Sequence, residues 1–140
     1  MIIRIFLLVC VMFSINSAHA QKVKLKNDVI YVDGEAAFSY ARKMNKTELV
    51  VYNLNTKDEL FTAIFYPVNI KIHEDNYYKI VFAHESESME YTRVYWNKSL
   101  ISWMLEQDVL TGEGKINTDK IDSFITKYDE NVSERTMILR

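Results

Sequence analysis

An α+β fold is what this sequence predicts: an antiparallel meander of about six strands followed by two C-terminal helices packed on one face of the sheet. Three observations predict it. Between residues 22 and 96, short apolar or alternating segments are separated by turn-forming residues. One of those separators is Asp33-Gly34, a two-residue hairpin signal. After residue 97 the apolar period changes from two to 3.6, and strands followed by helices, rather than alternating with them, form separate layers.

Residues 1–20 read as an export signal rather than as part of that fold. Arg4 supplies a short positive region, Ile5 to Phe13 an apolar stretch, and Ala18-His19-Ala20 the small-x-small pattern cut by signal peptidase. The expected mature chain starts at Gln21 and forms one domain over residues 21–140, ending in a short tail after about residue 130. A spanning helix needs about 20 mainly apolar residues, and this run fades at Ser14, Asn16 and Ser17, so no transmembrane span is expected after cleavage. Lipid attachment at Cys10 would want a small residue before it. Leu8-Val9 stand there instead, which assigns Cys10 to the discarded peptide.

The first strand, Lys22 to Lys26, alternates charged and apolar residues, as a strand with one wet face should. Val29 to Val32 and Glu35 to Tyr40 flank Asp33-Gly34, a type I′ turn in which both residues need positive φ. Glu48 to Tyr52 and Glu59 to Tyr66 flank a turn at residues 53–57; Tyr77 to Ala83 and Met89 to Trp96 flank another at residues 84–88. Pro67 cannot donate to a ladder, so it ends its strand or lies on an edge.

From Ser99 to Val109 the residues Leu100, Ile101, Trp103, Met104, Leu105 and Val109 form a broad helical face, with Asn97 positioned to cap its start. Thr111-Gly112-Glu113-Gly114 breaks that helix. A second one, from about Thr118 to Tyr128, carries Ile121, Phe124, Ile125 and Tyr128 at i, i+3, i+4 and i+7, a stripe that must rest on the sheet.

Charge and cysteine usage narrow the partners and the compartment. Lys and Arg number 17 against 19 Asp and Glu, a net charge of −2, and signal removal takes away Arg4 and no acid. That leaves no basic field for nucleic acid. The one cysteine leaves with the signal, so thiol chemistry is excluded and a domain of roughly 120 residues must be held by its core alone. Small secreted eukaryotic domains lean on disulfides, so their absence points to a bacterial protein exported across the inner membrane.

The sequence offers few candidate catalytic groups. Of the three histidines, His19 leaves with the signal, and His73 and His84 bracket one strand, which places them on the order of 25 Å or more apart, too far to share a metal. Their acidic neighbours, Glu74 and Asp75 for one, Glu85, Glu87 and Glu90 for the other, read as solvated turns; no metal site and no cofactor are expected. With glycine only at positions 34, 112 and 114, there is no nucleophile elbow, P-loop or dinucleotide loop. The loop from Asp108 to Asn117 fails as a calcium loop because Leu110 stands where a third-position oxygen ligand is needed. No catalytic residue is assigned.

Two short helices cover one sheet face, leaving the other to display aromatic rings interleaved with cations. Along one strand Tyr78, Ile80 and Phe82 face one way and Tyr77, Lys79 and Val81 the other, while Met89, Tyr91, Arg93 and Tyr95 share a side. Tyr77, Lys79, Tyr91, Arg93 and Tyr95 are therefore the candidate ligand-binding residues. The competing expectation is that a twisted sheet curls and packs these rings against its own neighbours, since tyrosine is common in strands whether or not it binds anything.

The signal ending Ala18-His19-Ala20-Gln21, the lysine-rich first strand, the Val32-Asp33-Gly34-Glu35 hairpin and the closing segment from Phe124 to Glu134 resemble small uncharacterised exported proteins of Gram-negative bacteria. The resemblance implies a periplasmic or secreted location and carries no activity or site residues. Two functions then compete. One is a non-enzymatic binding or interaction protein of the bacterial envelope, taking a small molecule, a glycan or an envelope protein on an aromatic face. The other is a hydrolase or lyase acting on an extracellular polymer through acids and one histidine, motivated by His84-Glu85-Ser86-Glu87. A pocket in which a histidine or paired carboxylates converge would favour the enzyme, a shallow aromatic face the binder.

Overall fold

In a computed structural model describing residues 20–67, 76–84, 87–94 and 96–134, the chain folds into a seven-stranded antiparallel sheet whose strands lie side by side in sequence order. These are β1 (Val23–Lys26), β2 (Val29–Val32), β3 (Glu35–Lys43), β4 (Glu48–Asn53), β5 (Glu59–Tyr66), β6 (Tyr77–Phe82) and β7 (Ser88–Tyr91). Helices α1 (Asn97–Glu106) and α2 (Ile121–Tyr128) follow, the second led in by a 3-10 turn at Thr118–Lys120. The α+β meander with two C-terminal helices is thus present, with seven strands in place of about six. His73 and Tyr95 lie outside the described residues, as do residues 1–19 of the expected signal.

The hairpins follow turn chemistry. Asp33 and Gly34 have φ of 51° and 85°, as the type I′ turn requires. A second tight turn, unforeseen in the sequence, joins β1 to β2 at Asn27 and Asp28, with φ of 51° and 62°; short polar side chains tolerate the left-handed region without glycine. β3 pairs beyond Tyr40 as far as Lys43, and β7 stops at Tyr91 instead of reaching Trp96.

Strand register sets which side chains enter the core. The pairs Val51↔Phe61 and Phe61↔Phe82 stack one inward row across β4 to β6, and Leu49↔Ala63, Ala63↔Ile80 and Ile80↔Met89 stack a second across β4 to β7. Ile30↔Phe38 adds to the same core from β2 and β3. Leu100, Ile101, Met104 and Leu105 of α1 and Ile121 and Phe124 of α2 close over it in a single cluster. Two irregularities bend the sheet. Ala37 is the extra residue opposite Ile30 and Tyr31, and Leu60 the extra residue opposite Val51 and Tyr52. The bulge at Ala37 brings its carbonyl against Gly114, where a Cβ would overlap that oxygen and φ is 87°. Glycine is required there on both counts.

Residues 129–134 are not a loose tail. The backbone N–H of Glu90 donates to Asp129 Oδ1 at 2.9 Å, the Glu130 N–H donates to the Glu90 carbonyl at 2.9 Å, and the Thr92 N–H donates to Glu130 Oε2 at 2.6 Å. Farther on, the N–H and hydroxyl of Ser133 both donate to the Glu90 carboxylate at 2.7 Å, and Val132 is buried. The segment straps the outer edge of β7, which would otherwise offer unpaired backbone groups.

Candidate functional site

Register divides the five residues singled out in the sequence. Tyr78 pairs with Tyr91, and Lys79 pairs with Glu90. Tyr91 therefore points to the helix-covered face with Tyr78, while Tyr77 and Lys79 point to the opposite one. On that opposite face Tyr77 is buried and stacks on Tyr66 across the β5–β6 pair, centroids 5.1 Å apart. Burial, with Glu90 nearby, pushes the Tyr77 hydroxyl above its ordinary pKa. Arg93 is exposed beyond the end of β7. No shared surface assembles from Tyr77, Lys79, Tyr91 and Arg93, because placing Tyr91 with Tyr77 required the turn between β6 and β7 to be one residue different in register.

Tyr91 belongs to an interlocked aromatic cluster in which Phe124 is buried and Tyr91, Trp103 and Tyr128 are half-buried. Its ring stacks on Trp103 of α1 at 4.3 Å and 7°, and Tyr128 of α2 meets both rings edge-on. Phe124 fills the space between Trp103 and Phe82. The Tyr128 hydroxyl donates to Gln107 Oε1 at 2.8 Å, fixing α2 to the end of α1. Tyr91 thus serves packing, and burial raises its hydroxyl pKa.

Among the described residues, the other end of the same face is open. There β1, β3 and β5 finish and β6 begins, and a groove of about 1200 Å³ runs between the outer edge of β1 and the start of α1. In a flat sheet, β1 and β6 would be about 24 Å apart. Their side chains line one groove, so the sheet curls. Val23 and Leu25 of β1, Phe65 of β5 and Tyr78 of β6 form an apolar floor, and Trp96 stands at the mouth with 73% of its surface exposed. Phe65 and Tyr78 meet at 5.3 Å.

Around this floor stand Lys22, Lys24, Arg42, Lys46 and Lys98, all exposed, with no acid among the described lining residues. Arg42 lies 5.6 Å from the centre of the Tyr40 ring. The N-terminal turn of α1 contains no acidic residue, so the positive end of its dipole adds to the same field.

The start of α1 departs from expectation in a way that shapes the groove. Trp96, not Asn97, is the N-cap, and it makes no side-chain cap bond. Asn97 Oδ1 instead accepts a hydrogen bond from the Tyr78 hydroxyl at 3.2 Å, tying the helix start to β6. Burial pushes that hydroxyl above its ordinary pKa, so it stays a donor.

His84 lies exposed in the turn after β6, at the opposite end of that strand from the groove. Among the described residues no group of three or more His, Cys, Asp or Glu could hold a metal ion. No helix of the described chain is long and apolar enough to cross a membrane. The groove residues escaped the sequence reading because they come from β1, two turns, three strand ends and a helix start. The available signal was faint: an edge strand of alternating lysine and apolar residues.

Comparison with protein-family models, with curated proteins and with solved structures gives no significant match. The functional reading accordingly rests on the geometry of the chain itself.

Proposed function

We propose that this is an exported, non-enzymatic binding protein of the bacterial envelope, and that its ligand occupies the groove between β1, β5, β6 and α1 rather than the aromatic face expected from the sequence. One observation carries the reading: an apolar floor bounded by five cations in a chain that has more acids than bases. A surface of mixed charge is the ordinary outcome at such a composition, and apolar side chains left beside a concave opening are the usual material of ligand sites. Export is supported by the Arg4, apolar and Ala18-His19-Ala20 pattern of the first twenty residues.

The test is native mass spectrometry of protein isolated from its own envelope fraction. The expected result is a chain beginning at Gln21 that carries a non-covalent small molecule, lost from a Leu25→Trp variant whose added ring fills the groove floor. A ligand retained at full occupancy by a folded Leu25→Trp protein would place binding elsewhere.

A further inference from the structure

The groove separates its chemistry by depth. Val23 and Tyr78 on the floor are buried and Leu25 and Phe65 half-buried, whereas every lining lysine and Arg42 is exposed at the rim. We propose that the groove takes a single-chain amphiphile with an anionic head group, the head held by Lys22, Lys24, Lys46 and Lys98 and the alkyl tail laid over Leu25, Phe65 and Tyr78. This rests on the reading of the groove as the ligand site and names what that site selects.

Each alternative leaves half of the surface unused. A hydrophilic polyanion would satisfy the cations and leave the floor in water, and a neutral lipid would cover the floor and leave the cations without partners. The volume of about 1200 Å³ exceeds the roughly 300–1,000 Å³ typical of pockets for compact ligands, which suits an extended chain. Because the opening is concave between a strand edge and a helix start, its floor is reached by a separate tail and not by the plane of a bilayer. Each methylene transferred from water to such a floor tightens binding roughly fourfold. Affinity is therefore set by tail length, and selectivity by the charge of the head.

Three probes with one tail and different heads separate these contributions: dodecanoate, dodecanol and dodecyltrimethylammonium, each below its micelle concentration. Binding is followed by tryptophan emission in a Trp103→Phe protein, which keeps an aromatic ring in the interlocked cluster and leaves Trp96 at the groove mouth as the reporter. Dodecanoate is expected to bind one to one and at least tenfold tighter than dodecyltrimethylammonium at low salt, the gap narrowing as salt screens the rim. Octanoate should bind on the order of a hundredfold more weakly than dodecanoate. Lys24→Glu with Lys46→Glu should abolish the preference, with Lys24→Gln and Lys46→Gln as the milder pair, and circular dichroism reporting the fold of each. Equal binding of all three heads overturns the anionic assignment while leaving the groove as the site. Absence of any Trp96 response overturns both. Binding to anionic phospholipid vesicles without binding of monomeric dodecanoate overturns the single-chain ligand in favour of a membrane surface.

Discussion

The two ends of the helix-covered face are built from similar side chains and have opposite fates. At the β7 end, Tyr91, Trp103, Phe124 and Tyr128 interlock with centroid distances of 4.3–5.9 Å, and the Tyr128 to Gln107 hydrogen bond ties α2 to the end of α1. At the β1 end, Leu25, Phe65, Tyr78 and Trp96 line a groove that α1 borders without covering. Aromatic content alone does not mark a binding surface. What distinguishes the ends is whether a second helix lies over them and whether cations gather at the rim.

The largest expected effect breaks the interlocked end. Phe124→Ala removes a ring that touches Phe82, Trp103 and Tyr128, and thermal or denaturant unfolding should show a loss of about 3–5 kcal/mol. An unchanged midpoint would mean α2 does not seal the cluster. Next in size is Gly114→Ala, where a left-handed φ and overlap with the Ala37 carbonyl combine. Its cost should be about 2 kcal/mol or more, and larger than that of Gly34→Ala, which meets only the conformational penalty because nothing lies within 4 Å of its added carbon. Equal losses for the two would show that the contact at the bulge relaxes.

A third prediction sharpens the comparison through pH. Burial raises the hydroxyl pKa of Tyr78 at the open end and of Tyr91 at the interlocked end above 10.0. A folded-state value above the unfolded one means that the folded protein holds the proton more tightly. The associated stability is fully present below about pH 10 and is lost as pH rises through the raised values. Tyr78→Phe should flatten this alkaline loss in chemical unfolding curves, at the cost of the hydrogen bond to Asn97; a curve as steep as wild type would remove Tyr78 from the account. The smallest expected change is Trp96→Ala. That side chain is 73% exposed, so stability should move by no more than about 0.5 kcal/mol, in contrast with Phe124→Ala.

How far the sequence carried these conclusions depends on the range of the interactions involved. The Asp33-Gly34 turn, the apolar stripe of Ile121, Phe124, Ile125 and Tyr128, and the order of strands before helices are local patterns, and each appears in the fold. Face assignment across the β6–β7 turn is not local, because one residue of slip exchanges the two faces, and it separated Tyr77 from Tyr91. The tail expected after about residue 130 is held to β7 as far as Ser133 by partners about 40 residues away in sequence, a range no local pattern reports. The groove was least legible of all. Its rim joins Lys22 to Lys98 through a curl in the sheet that arises from bulges at Ala37 and Leu60, and no short window of sequence encodes that closure.

The most direct test of the difference between the two ends is amide chemical-shift mapping of the folded protein titrated with dodecanoate. The account predicts saturable shifts at Val23, Leu25, Thr47, Asn97 and Lys98, with Tyr91, Phe124 and Tyr128 unmoved. Shifts confined to the Tyr91, Phe124 and Tyr128 cluster, with the β1 end silent, would contradict it.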